Sequence, residues 1–237
     1  DYVLDSKSTI INHIEVVPPG FINIKLTKSE FSNNIPLIIE SDESYGKNNL
    51  GKDMNILVEF VSANPTGPLT VGHGRNAILG DTISRIFEWN GYNVQREYYF
   101  NNAGRQMRML GESVYERYME KLGEKFTIPE GGYEGEYIKE IAELLFDKYQ
   151  EKLKNDKKNP IFKETAEAYI FNDIKNTLNK IGLTFDSFFN EKFLYENGEI
   201  DKTIEKLKEK ELIYEKDGAI WFEASKVGRC EDRVIVK

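Results

Sequence analysis

Cysteine occurs once, at Cys230, in a chain of 237 residues. That excludes an internal disulfide and leaves no second thiol for a metal site, so the thiol is assigned no role and no metal-binding residue is named. No stretch approaches the ~20 consecutive apolar residues that a membrane-spanning helix needs. The acidic start DYVLDSKST is unlike a signal or transit peptide, so a cytoplasmic protein without membrane contact is expected. Positive charge is in deficit too: 32 Lys and Arg against 40 Asp and Glu leave a net charge of -8. Such a balance argues against a chain that coats nucleic acid indiscriminately, without excluding a local basic face.

The few arginines are unevenly spread. Arg75, Arg85, Arg96, Arg105, Arg108 and Arg117 fall between positions 75 and 117, whereas lysine supplies nearly all the positive charge elsewhere. Guanidinium forks suit phosphate and carboxylate, so anionic ligands are expected near this segment, with surface ion pairs as the alternative for individual residues.

What is present fits a folded chain. At 40% hydrophobic, 12% aromatic and 30% charged residues the composition is globular. IINHIEVV (10–17) and FINIKL (21–26) read as strands around Pro18-Pro19-Gly20, and Thr27 with Glu30 has capping-box spacing for a helix reaching IPLIIE. The polar stretch 41–53 reads as a linker, which sets a domain boundary near 50: residues 1–50 and 51–237. NILVEFV (55–61) has strand character, residues 75–89 carry Ile78, Leu79, Ile83, Ile86 and Phe87 at helical spacing, and YNVQREYYF (92–100) resumes strand character. Strand, helix, strand predicts a βαβ unit and an α/β fold with a parallel sheet. Three helices follow by the same periodicity, with core stripes Met107 to Leu122, Ile138 to Leu153 and Ala166 to Ile181. Asp217-Gly218 between apolar runs predicts a hairpin over 212–224, and RVIV near the end reads as a strand entering a sheet that continues beyond it.

Between the first strand and helix lies SANPTGPLTVGHGR (62–75). A strand-to-helix loop delivers unpaired N–H groups and the positive end of a helix dipole to one spot, a prepared site for phosphate. Glycines at 72 and 74 let a ligand approach the backbone, and Thr70 and His73 can add donors. Gly72-His73-Gly74-Arg75-Asn76-Ala77 also fits G-x-G-x-x-G/A, with Glu97 twenty residues on where a ribose-binding acid would sit, so an NAD-dependent enzyme is an alternative. About ten residues separate the strand from Gly72, however, so the tight turn of that fingerprint is missing.

VEFVSANPTGPLTVGHGRNAILGD closely resembles the nucleotide-binding signature region of arginyl-tRNA synthetases. VVPPGFINIKL, REYYFNNAGRQ, GYEGEYI, FFNEKFLYENGEI and EDRVIVK are similar to bacterial-type members in the same order. The resemblance covers nearly the whole chain. It implies a Rossmann-like class I catalytic domain with helical insertions, preceded by the C-terminal part of the additional domain that binds the tRNA elbow. It also implies coupling of L-arginine to ATP, carried with Mg2+, and transfer of the arginyl group to tRNA(Arg). His73 and Gly72 correspond to the second histidine and the glycine of the signature and are expected at ATP, with Asn76 as a further candidate. Thr70 stands where the family usually has the first histidine, and Thr70→His is expected to preserve or improve ATP use. Glu59 is expected to contact the arginine substrate, with Asn64 and Ser62 on its backbone groups. Tyr98, Tyr99 and Phe100 could stack on bases, but their strand setting favours core packing. No lysine-bearing second signature is found, since EASKVG near 225 shares only Ser-Lys with it. A fragment of a longer, monomeric enzyme is therefore expected, with a nucleotide- or RNA-binding module as the competing class.

Overall fold

The computed structural model describes residues 10–228 and 231–236, so Cys230 lies outside the described residues. The chain divides into two compact units, Asp1–Met54 with Phe87–Asn93, and Asn55–Ile86 with Val94–Lys237.

In the first unit, β1 (Ile11–Val17) and β2 (Phe21–Leu26) pair antiparallel, with Ile14 opposite Ile24 and Val17 opposite Phe21. Gly20, at φ 146, closes the Pro18-Pro19-Gly20 turn by donating to the Val17 carbonyl at 3.1 Å. Helix α1 (Lys28–Ser41) begins after Thr27, but the expected capping box does not form. The Thr27 hydroxyl instead accepts the Ser29 hydroxyl at 3.2 Å. The polar segment 41–53 contains only a short 3-10 turn, as its composition implies, yet it is pinned. Asn48 N–H donates to Trp89 O at 3.2 Å and Gly51 N–H to Asn90 O at 2.8 Å, and Gly51 lies so close to Tyr92 that a Cβ would stand 2.1 Å from the ring.

The second unit is built on a three-stranded sheet in the order β3 (Asn55–Glu59), β4 (Asn93–Phe100), β5 (Ser187–Asn190). β4 and β5 run parallel, with Glu97 opposite Ser187 and Phe100 opposite Asn190. Helix α2 (Val71–Trp89) connects β3 to β4, the strand-helix-strand unit expected from the periodicity. Two element ends differ from expectation, one on β3 and one on α2. β3 stops at Glu59 rather than 61, because Val61 and Ser62 take left-handed backbone, and α2 begins at Val71 rather than 75.

The buried face of α2 is Ala77, Gly80 and Ser84, not the apolar residues that revealed the helix. Ile78, Leu79 and Ile86 are 63%, 57% and 56% exposed. Small residues win that face because the helix approaches Phe60 closely: a Cβ on Gly80 would stand 2.2 Å from Phe60 Cγ. The three later helices keep most of their predicted stripes inside, but Leu122, Leu153 and Ile181 fall past the helix ends and Ile181 is exposed. On α3 (Gly104–Lys121), α4 (Glu136–Tyr149) and α5 (Pro160–Lys180), Met107, Leu110, Val114, Tyr118, Ile138, Ile141, Leu145, Ala166, Ile170, Ile174 and Leu178 are buried. They share one core with Tyr98 and Phe100 of β4, so these two aromatics are packing residues, as their strand setting implies. Asn159 caps α5, its side-chain oxygen accepting Ile161 N–H at 3.1 Å with Pro160 at the first helical position.

Two short helices, α6 (Lys192–Glu196) and α7 (Glu199–Glu209), precede the hairpin β6 (Ile213–Lys216) and β7 (Ala219–Phe222), whose turn residues Asp217 and Gly218 have φ 53 and 72. Two central residues with positive φ make the turn that matches strand twist. β8 (Arg233–Val236) pairs antiparallel with β7, so RVIV joins this sheet of three. Among the described residues no helix is long and apolar enough to cross a membrane.

Candidate active site

Glu59 ends β3, and the chain then reverses through two left-handed residues, Val61 (φ 66) and Ser62 (φ 44). The reversal brings the Ser62 hydroxyl back onto Glu59, donating to Oε1 at 2.7 Å. Glu59 Oε2 takes no hydrogen bond or ion pair from the described residues, and the side chain is exposed. Asn64 sits further along, its Oδ1 accepting Asn101 N–H at 2.9 Å and its Nδ2 donating to Gln106 Oε1 at 3.3 Å. The three residues expected at arginine thus lie along one turn beyond the carboxyl end of β3, with Asn64 tied to the residue that follows β4. Carboxyl ends of parallel strands are where such sheets bind ligands.

The support beneath this turn was not legible in the sequence. Tyr98 of β4 accepts Ala63 N–H at 3.1 Å and donates to Ala63 O at 2.8 Å. Ser62 Oγ accepts Tyr99 N–H at 3.2 Å. Glu191, just past β5, accepts from the Tyr99 hydroxyl at 2.9 Å and from Asn101 Nδ2 at 2.7 Å. Burial pushes the Tyr98 and Tyr137 hydroxyls up to about 12, and burial with the neighbouring Glu191 carboxylate does the same to Tyr99. All three therefore stay protonated donors at neutral pH. Tyr137 uses its proton on Thr66 O at 2.8 Å and packs beneath Gly67, so α4 also steadies the loop. The Asn-Asn pair after a strand signals a turn, but nothing local announces a partner ninety residues away.

Thr70 is the N-cap of α2, and His73 completes the cap. The Thr70 hydroxyl oxygen receives His73 N–H at 3.5 Å, while Thr70 N–H donates to His73 Nδ1 at 3.0 Å. This is a capping box with imidazole in place of the usual Glu or Gln. Because Nδ1 accepts, the neutral ring carries its proton on Nε2, which is left as an outward donor. Gly72 and His73, read as parts of a glycine turn, lie instead in the first turn of the helix, which also carries Asn76 as expected. A Cβ on Gly74 would meet nothing within 4 Å, and one on Gly72 only Thr70 Oγ1 at 3.6 Å. These glycines therefore serve no packing contact with the described residues; they leave the first turn of the helix free of side chains. Asn76 has a different engagement, its side-chain oxygen accepting Val61 N–H at 2.5 Å.

A Thr70→Ala variant is expected to lose about 1 kcal/mol of stability in urea unfolding, the usual cost of an N-cap hydroxyl, and to free the His73 ring; Thr70→Ser keeps both. Thr70→His removes the same cap, a cost the sequence did not reveal.

The arginine-rich segment divides. Arg85 and Arg96 share Asp81 at 2.6 and 3.3 Å, and Arg117 pairs with Glu120 at 2.8 Å. Arg75, Arg105 and Arg108 are exposed and form no salt bridge among the described residues. The dinucleotide alternative finds its acid engaged: Glu97 is half-buried and accepts from Ser187 Oγ at 3.2 Å, its register partner on β5. Lys226 of EASKVG is paired with Glu223 at 2.7 Å and donates to Glu211 O at 3.0 Å, so its amine is already engaged. No group of three or more His, Cys, Asp or Glu among the described residues could hold a metal ion.

The family model for the catalytic domain of class I (R) tRNA synthetases matches residues 34–237. The chain belongs to that family. An arginine–tRNA ligase of Desulfotalea psychrophila is 48% identical over 99% of this chain and 42% of its own length, and one of Thermotoga maritima is 42% identical over 95% of this chain and 42% of its own. A solved Campylobacter jejuni structure, described as a candidate arginyl-tRNA synthetase, superposes with TM-score 0.81 at 35% identity, over 90% of this chain and 47% of that one. The chain thus spans about 42% of the length of the curated relatives it matches. The parallel sheet with its helical layer is the α/β architecture of the family's catalytic domain, in part.

Proposed function

We propose that the full-length protein carrying this chain is an arginine–tRNA ligase. It joins arginine to Mg2+-bound ATP, forming arginyl-adenylate and pyrophosphate, and transfers the arginyl group to the terminal adenosine of tRNA(Arg). The observation that carries this reading is the carboxylate of Glu59, steadied by Ser62 at 2.7 Å through one oxygen and open at the other. A guanidinium never loses its charge and is best held by a fixed carboxylate.

The substrate's carboxylate oxygen forms a bond to the α-phosphorus as the bond from that phosphorus to pyrophosphate breaks. The chain's own contribution is to hold the two substrates in line and offer donors to the growing charge. Asn64 and Ser62 orient the amino acid's backbone groups. The bare first turn at Gly72 and the Nε2–H of His73 receive phosphate oxygens, with Thr70 fixing the imidazole; Mg2+ arrives on the nucleotide. In the same reading, residues 1–50 are the end of the domain that binds the tRNA elbow, and 51–237 begin the catalytic domain with its helical insertion. The enzyme is a cytoplasmic monomer, and the lysine-bearing signature and anticodon-binding domain belong to the remainder of the protein.

ATP–pyrophosphate exchange tests this. The full-length protein should exchange in the presence of arginine and tRNA(Arg), and residues 1–237 alone should not. Nucleotide or RNA binding by the full-length protein without any arginine-dependent exchange would instead make it a binding module.

A further inference from the structure

Val61 and Ser62 are consecutive non-glycine residues in left-handed backbone, at φ 66 and 44. For a β-branched residue such as valine this region is a genuine outlier, and it persists only where surrounding contacts over-determine it. Several groups grip this turn. Tyr98 brackets Ala63 from β4, Ser62 bridges Tyr99 N–H and Glu59, and Asn76 of α2 accepts Val61 N–H at 2.5 Å. Ser62 N–H also closes a tight turn around Val61 by donating to Phe60 O at 2.9 Å, and Asn76 is the side chain among these that bonds the valine's own backbone.

We propose that Asn76 is a positioning residue for the amino-acid site: its side-chain oxygen holds Val61 left-handed, and the turn so held sets Glu59, Ser62 and Asn64 for the substrate. The inference rests on the assignment of those three residues to arginine made above, and it moves Asn76 from the nucleotide to the other substrate. Without that acceptor the tight Ser62 N–H to Phe60 O turn is left to hold Val61 left-handed, and its loosening toward extended backbone draws the neighbouring Ser62 hydroxyl away from Glu59. The phosphate-facing turn has its own fastening, Thr70 N–H on His73 Nδ1 at 3.0 Å, and does not need Asn76.

The full-length protein tests this through steady-state exchange kinetics. Asn76→Ala is expected to raise KM for arginine about tenfold while KM for ATP stays within about twofold, the signature of one lost substrate-specific interaction. Adding Val61→Gly, which adopts positive φ without a Cβ penalty, should return KM for arginine to within about threefold of wild type. Amide exchange at Val61 should also accelerate about tenfold or more in Asn76→Ala, since its N–H loses its acceptor. An equal rise in both KM values with no rescue by Val61→Gly overturns the proposal in favour of a nucleotide contact. Unchanged protection of the Val61 amide overturns the clamp itself. Should Asn76→Ala fail to fold, Asn76→Ser, whose shorter side chain falls short of Val61, carries the same comparison. If wild-type protein shows no arginine-dependent exchange, the proposed function fails, while the Val61 amide still decides whether Asn76 holds the turn.

Discussion

Glu59→Gln is expected to raise KM for arginine by about 30- to 150-fold, equivalent to about 2–3 kcal/mol, with KM for ATP changed less than about threefold. Glutamine is nearly isosteric, and its amide oxygen can still accept the Ser62 hydroxyl that Glu59 Oε1 accepts at 2.7 Å. The turn is therefore kept and only the charge is removed. With the amide oxygen kept on Ser62, the place of the open Oε2 is taken by an NH2 group that only donates, so the guanidinium loses its charged acceptor, and charge-assisted bonds are roughly twice as strong as neutral ones. Separate titrations of arginine and ATP in the exchange assay supply the measurement. Equal damage to both substrates would make Glu59 a structural residue and remove the arginine assignment.

Gly80→Ala should destabilise the protein by about 3 kcal/mol, the upper end of the usual cost of overpacking a well-filled core. The added methyl would stand 2.2 Å from Phe60 Cγ and 2.5 Å from Phe60 Cβ. Those atoms are the root of the side chain, so a rotation of the ring cannot clear them. Phe60 is itself 4% exposed and packs at a tilt on Phe185 with ring centroids 4.5 Å apart, and its backbone N–H is fixed to Glu97 O at 3.2 Å. The clash must therefore be relieved by moving α2 off the sheet or shifting the backbone between Glu59 and Val61. Either displacement reaches the site, so the variant should also lose arginine affinity. Denaturant unfolding and the exchange assay check the two effects. A stability within about 0.5 kcal/mol of wild type would mean that the helix is not held against Phe60 in this way.

Both predictions turn on residues whose identity the sequence displays and whose circumstances it does not. Glu59 is visible as an acid at the end of an apolar strand, and resemblance suggested its partner substrate. Its bond to Ser62 depends on a left-handed reversal at Val61 that no propensity favours. Gly80 has no local mark at all. The Ile78, Leu79, Ile83 and Ile86 pattern that identifies α2 even points to the wrong face, because the sheet takes the small-residue side. Asn76 likewise reads as one more polar residue after a signature until its oxygen is seen on Val61 N–H.

Sequence alone determined the order of elements in the βαβ unit, the three helices with their buried stripes and the Asp217-Gly218 hairpin. Each follows from side-chain period or turn chemistry within a dozen residues, and the family follows from motifs in a fixed order. Tertiary structure decided which face of α2 meets the sheet and where β3 stops. It also decided that Tyr98, Asn76, Asn101 and Glu191 assemble the support for the turn from Glu59 to Asn64. Those contacts join residues 15 to 90 positions apart, and packing in three dimensions, not local preference, selects among the many partners a polar side chain could take.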